Sequence, residues 1–233
     1  MNWQRGKRVT VFYGNFGNGK TELAINYAVD QAARHGRAVL VDVDNVTPFF
    51  RCRDVAGEME TNGVAVVAPK DELRQADLPV LAPEVLGVLS SHDARAVFDV
   101  GGNRWGARLI GSLSGRFPED DLDALFVVNT RRPFSRTKDQ ILASMGEIAR
   151  AARMRPTAVV NSTNLGRLTT FDMILEGMEL VEEAAADAGL PVAFSTCPDW
   201  LAEERRVQHP AGFFERDGRL YFAIRRYMAP SWE

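Results

Sequence analysis

The run Gly14-Asn15-Phe16-Gly17-Asn18-Gly19-Lys20-Thr21 fits the pattern G-x-x-x-x-G-K-[ST] without a gap. Residue types in this order suit one task, the holding of a polyphosphate. Glycines let successive backbone N–H groups turn toward phosphate oxygens, and the positive end of a following helix points at the same charge. Lys20 would reach the terminal phosphates and act in catalysis, while the Thr21 hydroxyl would bind Mg²⁺. All eight residues from Gly14 to Thr21 are therefore candidates for nucleotide contact.

Hydrolysis needs carboxylates as well as a phosphate cradle, and two places supply them. Val97-Phe98-Asp99-Val100-Gly101-Gly102 is an apolar strand ending in an acid, followed by glycines. Asp99 is a candidate for a Mg²⁺-bound water, and Gly101 or Gly102 for a backbone N–H on the γ-phosphate. Asp42 and Asp44 stand two apart, so they point the same way on an extended chain. Close carboxylates repel unless a cation or a bound water separates them. Asp42 is thus a candidate metal residue, and Asp44 a candidate catalytic residue that positions the attacking water. A solvated strand end is the competing reading of that pair, and a helix cap that of Asp99.

These residues need elements that bring them to one edge. Residues 8–13 read as a strand entering the glycine loop, and 22–35 as a helix stopping at Gly36. Further apolar strands fall at 38–44, 64–68, 96–100, 124–129, 157–161 and 192–195. Helical patterns lie between them, near 50–61, 83–91, 104–115, 136–153, 169–189 and 199–207. The alternation predicts a doubly wound α/β fold, a mostly parallel sheet with helices on both faces. Such sheets bind ligands at the carboxyl ends of their strands. There the sequence sets Asp42, Asp44, Asp99, Gly102, Asn129 and Asn161. The loop 69–83 is too short to divide domains, so 1–233 reads as a single nucleotide-binding domain. Residues 213–222 predict a hairpin turned at Asp217-Gly218, against a weaker reading as an amphipathic membrane tail.

Composition narrows the partners. Lys and Arg total 28 against 31 Asp and Glu, a formal net charge of −3, which offers no bulk attraction to nucleic acid or anionic lipid. Two cysteines, Cys52 and Cys197, are too few for a disulfide framework and too far apart for a C-x-x-C metal pair. The N-terminus lacks the apolar core of a signal peptide, and no apolar run is long enough to cross a bilayer. The expectation is a cytoplasmic protein without membrane insertion or specific nucleic acid. G-x-G-x-x-G is absent, which sets a dinucleotide dehydrogenase aside. N-K-x-D is absent too, so ATP is expected rather than GTP.

The order of phosphate loop, D-x-D, D-x-G-G and strand-end Asn161 resembles the MinD/ParA-like P-loop ATPases, whose broader group includes cobyrinic-acid amidases and dethiobiotin synthase. Val41-Asp42-Val43-Asp44-Asn45-Val46-Thr47-Pro48-Phe49-Phe50-Arg51 looks like the DLDIVNPYFR segment of one bacterial subgroup. The stretches 127–134 and 160–166 are similar to that subgroup too. The resemblance implies that 44–51 is the first switch, that Asp99 to Gly102 opens the second, and that Asn161 contacts adenine with help from Pro198. It implies a slow, Mg²⁺-dependent ATPase exchanging ATP for ADP and acting on a protein partner or a homodimer through its switches. Phe49, Phe50 and Trp105 are the aromatics available for contact. The alternative within the same group is a metabolic enzyme that uses ATP to activate a small acid, with Arg104, Arg108 or Arg131 lining its acceptor pocket.

Three positions depart from the pattern. The signature lysine of those ATPases is replaced by Asn15, which carries no charge, Gly17 keeps only one of two usual glycines, and Glu22 replaces a hydroxyl residue. This leaves the ATP-sandwich dimer open. Arg131 and Arg132, just past a strand end, are candidates for a compensating cation, with two solvated arginines as the competing reading.

Overall fold

The computed structural model of the chain describes residues 3, 6–43, 52–68, 83–204 and 212–228. Among the described residues, nine strands form one sheet in the order β3-β2-β4-β1-β5-β6-β7-β9-β8. They are β1 (Val9–Tyr13), β2 (Ala38–Val43), β3 (Val64–Val67), β4 (Arg95–Val100), β5 (Leu122–Val128), β6 (Ala158–Asn161), β7 (Val192–Pro198), β8 (Gly212–Arg216) and β9 (Arg219–Ile224). Every pairing is parallel except that of β8 with β9. This is the doubly wound α/β fold that the alternation of apolar strands and helices predicts.

Among the described residues seven α-helices connect the strands: α1 (Lys20–His35), α2 (Ala56–Thr61), α3 (Pro83–Ser90), α4 (Arg104–Gly111), α5 (Lys138–Ala152), α6 (Phe171–Asp187) and α7 (Asp199–Glu204). Because side chains alternate along a strand, each central strand feeds two cores. Val9, Val11, Phe98, Val100 and Phe126 pack toward α3, α4, α5 and α6. Phe12, Leu40, Val97, Leu125 and Val160 pack toward α1, α2 and the β8–β9 hairpin. Each fully buried aromatic or branched aliphatic side chain contributes about 1.5–3 kcal/mol. Strands buried on both faces explain why the sequence reads as near-continuous apolar runs.

Strand β1 lies between β4 and β5, with β2 and β3 on one side and β6 and β7 on the other. The connections therefore diverge at β1, which opens a crevice at the carboxyl ends of the strands. The glycine loop occupies that crevice.

Two helices differ from expectation. The helix expected over 50–61 starts as a 3-10 turn, Cys52–Val55, before α2. The helix expected over 104–115 stops at Gly111, where a Cβ would lie 2.8 Å from the Ala151 carbonyl oxygen, so α4 approaches the end of α5 too closely to continue. The hairpin forms as expected. Asp217 and Gly218 both take positive φ, 50° and 73°, the turn that suits the twist of two antiparallel strands. Phe222 is buried beside Phe213, with ring centroids 4.6 Å apart, so these aromatics serve the core and not a membrane. Among the described residues, no helix is long and apolar enough to cross a membrane. Asp44, Phe49, Phe50 and most of the 69–83 loop lie outside the described residues.

Candidate functional site

The glycine loop leaves β1 with Gly14 set against Val127 of β5, and the Asn18 amide donates to the Val127 carbonyl at 2.8 Å. Asn18 is fully buried, so its side chain braces the loop from behind. Gly19 adopts φ 78° as the N-cap of α1, a left-handed conformation that glycine enters without steric cost. No side chain caps this helix. By contrast, Asn103, Thr137 and Thr170 cap α4, α5 and α6. The first N–H groups of α1 thus remain available to an anion at the positive end of the helix.

Lys20 is buried at the head of α1, and its Nζ donates to the Asn15 carbonyl at 2.9 Å. Gly102, just past β4, touches the same loop. A Cβ there would lie 2.4 Å from Phe16 Cα and N, and 2.8 Å from Lys20 Nζ, so only glycine fits. The second acidic motif is thereby pressed onto the phosphate loop.

Asp42 and Asp99 stand opposite each other in register on β2 and β4, each only 2 % exposed. Two buried neighbouring carboxylates are costly unless a cation or a proton lies between them. Cys52, isolated in the sequence, donates its S–H to Asp99 Oδ2 at 3.5 Å. Burial, followed by the charges of Asp99 and Asp42, pushes the Cys52 thiol well up, so it stays protonated. Thr21, Asp42 and Asp99 offer hard oxygen donors, which suits Mg²⁺ rather than a thiophilic metal. No group of three His, Cys, Asp or Glu among the described residues could hold a metal alone. Mg²⁺ here would complete its shell with phosphate and water oxygens, as this ion usually does.

A cavity of about 390 Å³ runs from Phe16, Gly17, Gly19, Lys20 and Thr21, past Gly102, to Pro198. That volume lies within the usual range for small-ligand clefts. Of the residues proposed from sequence, those seven line it together with Arg132. Gly14, Asn15 and Asn18 form the loop behind the lining, and Asp42 and Asp99 lie at the neighbouring strand tips. Asn15 turns into its own chain, donating its amide to Ser144 Oγ on α5.

Asn161, expected to face a base, is enclosed instead. Its amide donates to the Ile174 carbonyl at 3.1 Å and to Ser195 Oγ at 2.7 Å, and its Oδ1 accepts from Thr163. It fastens β6 to β7 and α6, and the wall of the cavity passes to Ser162, Asn164, Thr196 and Trp200. Polar residues just beyond apolar strand ends are the signal that could have found Ser162 and Asn164.

The far end is closed by the segment after β9, which no motif marks. Asn26 on α1 exchanges two hydrogen bonds with Arg225, both 2.8 Å. Glu22 accepts from the backbone N–H groups of Tyr227 and Met228. Burial raises the Glu22 carboxyl pKa, opposed by those two backbone bonds and by Arg226. Glu22, at the edge of the cavity, therefore anchors a strap through its carboxylate.

The arginines separate. Arg131 pairs with Glu176, and Arg104 with Glu147 at 3.1 Å, while Arg108 stacks over Trp105. Arg132 alone of the four lines the cavity, with its Nε donating to the Gly17 carbonyl at 2.8 Å.

No protein-family model and no curated protein matches this chain. Solved structures do. The signal recognition particle 54 kDa protein from Aeropyrum pernix, in complex with GDP, aligns at TM-score 0.54 and 18% identity over 91% of this chain and 42% of its own. FtsY from Thermotoga maritima aligns at TM-score 0.54 and 16% identity, over 91% and 63%. FtsY from Mycoplasma mycoides aligns at TM-score 0.53 and 14% identity, over 81% and 59%. The chain thus spans between about two fifths and three fifths of these proteins. At such identity the likeness speaks for the fold alone. With the glycine loop seated between a buried strand and an uncapped helix, it establishes that this chain has the fold of the P-loop nucleoside triphosphatases.

Proposed function

We propose that the chain is a Mg²⁺-dependent ATP switch of the MinD/ParA-like kind, which hydrolyses ATP slowly and presents its nucleotide-sensitive loops to a protein partner. The observation that carries this reading is the uncapped head of α1, opening into a cavity where Lys20 and Gly102 meet the phosphate loop. In this reading the backbone of Gly14 to Thr21 and of Gly102 grips the phosphates. Thr21, Asp42 and Asp99 hold Mg²⁺, and Asp44 orients the attacking water. The metal, when bound, draws charge from the phosphate oxygens and supports that water.

The choice of ATP rests on the far end of the cavity. Guanine presents N–H donors that favour a carboxylate acceptor. Among the described residues lining the cavity, the one carboxylate is Glu22, and it is engaged with the N–H groups of Tyr227 and Met228. The GDP bound by the Aeropyrum protein makes guanine nucleotide the natural competitor. The partner reading draws on exposed apolar side chains beside the lining: Phe16 itself, Trp105 after Gly102, Phe134 after Arg132, and Leu165 and Leu168 flanking Gly166. Apolar residues grouped at a cleft mouth commonly mark a contact surface.

Titration calorimetry with Mg-ATP and Mg-GTP tests the proposal. Mg-ATP should bind the wild-type chain, and Lys20→Ala should weaken binding by on the order of a hundredfold, the loss of a charge-assisted contact to phosphate. Tighter binding of Mg-GTP would sink the choice of nucleotide. Failure of both to bind would sink the site.

A further inference from the structure

We infer that Arg132 supplies, from within the same chain, the positive charge that balances the transferring phosphoryl group. This deepens the nucleotide reading and rests on it.

The geometry points to Arg132 on three counts. First, its Nε is tied to the phosphate loop itself, 2.8 Å from the Gly17 carbonyl, and its side chain packs over Gly17, where an added Cβ would come within 3.4 Å of Nε. Second, among the described residues no carboxylate pairs with it, whereas its neighbour Arg131 is paired with Glu176. Third, the turn that carries it is fixed before any ligand arrives. Asn129 is fully buried and accepts from Arg131 N at 3.0 Å through its side chain, and from Arg132 N at 3.1 Å through its carbonyl. Ser135 N then donates to the Arg132 carbonyl at 3.1 Å, and the Thr130 and Thr163 hydroxyls meet at 3.0 Å beneath.

A cation held in place at the loop needs little rearrangement as charge develops, which is the condition under which electrostatic stabilisation is largest. In the reaction, water oxygen bonds to the γ-phosphorus as the bond to the β–γ bridging oxygen breaks. The electron pair of that bond passes to the diphosphate, one proton of the water stays with the released phosphate, and the other goes to solvent. Negative charge grows on the bridging and γ-phosphate oxygens, the region a guanidinium lodged on Gly17 overlooks. Asn15, uncharged and hydrogen-bonded to Ser144, is turned away from it. Charge supplied in this way makes turnover a property of one chain and not of a pair.

The test compares Arg132→Ala, Arg132→Lys and Arg131→Ala in the full chain, each checked for an unchanged melting transition. Mg-ATP turnover is measured over a range of chain concentrations, together with affinity for ADP alone and for ADP with aluminium fluoride. Arg132→Ala should lower turnover by on the order of a hundredfold or more while ADP affinity changes less than about threefold. The tightening that aluminium fluoride gives the wild type should vanish, and Arg132→Lys should restore part of both. Arg131→Ala should match the wild type, and turnover per chain should not depend on concentration. Unchanged turnover in Arg132→Ala would overturn the inference. So would equal losses in turnover and ADP affinity, or turnover per chain that climbs with concentration. A wild-type chain that binds neither ATP nor GTP would instead bring down the underlying site, so the two failures are separable.

Discussion

Glu22 illustrates how one residue can change its task when the fold closes around it. One position after Thr21, it points to the segment that follows β9 and accepts the N–H groups of Tyr227 and Met228. Burial holds its pKa above the usual carboxylate value, so the folded chain keeps the proton more tightly than the unfolded one. The stability this represents is present at low pH and is lost as pH rises through the raised value. Glu22→Gln keeps an acceptor for Tyr227 and removes the buried charge. The variant should therefore be more stable than the wild type near neutral pH, and the difference should close as pH falls through the carboxylate range. Denaturant unfolding across that range measures it, and a constant difference would contradict the assignment. Residue spacing gave no hint of this role, because the partners stand 205 positions away. Asn161 is a similar case: a strand-end amide reads as open in sequence, whereas in the fold Ser195 and Ile174 enclose it.

At the scale of elements, local pattern carried most of the information. The strands fall close to where the apolar runs place them, and α1 begins where the glycine loop releases it. The hairpin was legible from one dipeptide, since Asp-Gly with positive φ at both residues favours a two-residue turn. Less legible was what the hairpin does. It adds β9 beside β7, seats Phe222 against Tyr27 of α1 with ring centroids 5.9 Å apart, and delivers residues 225–228 to the cavity. Phe222→Ala should cost about 3–5 kcal/mol of stability, as a large aromatic is removed from a closed core. It should also weaken ATP binding, because the strap held by Glu22 and Asn26 loses its anchor. A lowered denaturant midpoint with unchanged nucleotide affinity would show that strap and hairpin are independent.

Across the whole molecule, the site draws on β1, β4, β6, β7 and the segment after β9, so nucleotide binding and global stability are linked. Mg-ATP at a hundredfold excess over its dissociation constant should raise the unfolding free energy by about 2.7 kcal/mol. Chelating the metal should remove much of that gain, since Asp42 and Asp99 would face the phosphates without a cation between them. Thermal unfolding with ATP, with and without a chelator, reads this directly, and an equal gain in both would remove Mg²⁺ from the account. The phosphate loop, the two acidic strand tips and the alternation of strand and helix were written in the sequence, because each depends on neighbours within one turn or one strand. The meeting of Asp42 with Asp99, the placing of Arg132 on a glycine 115 residues earlier and the closing of the cavity by the C-terminal segment were decided by strand order. Periodicity fixes which face of a strand is buried, whereas which strands lie side by side is settled only when distant apolar faces pack together.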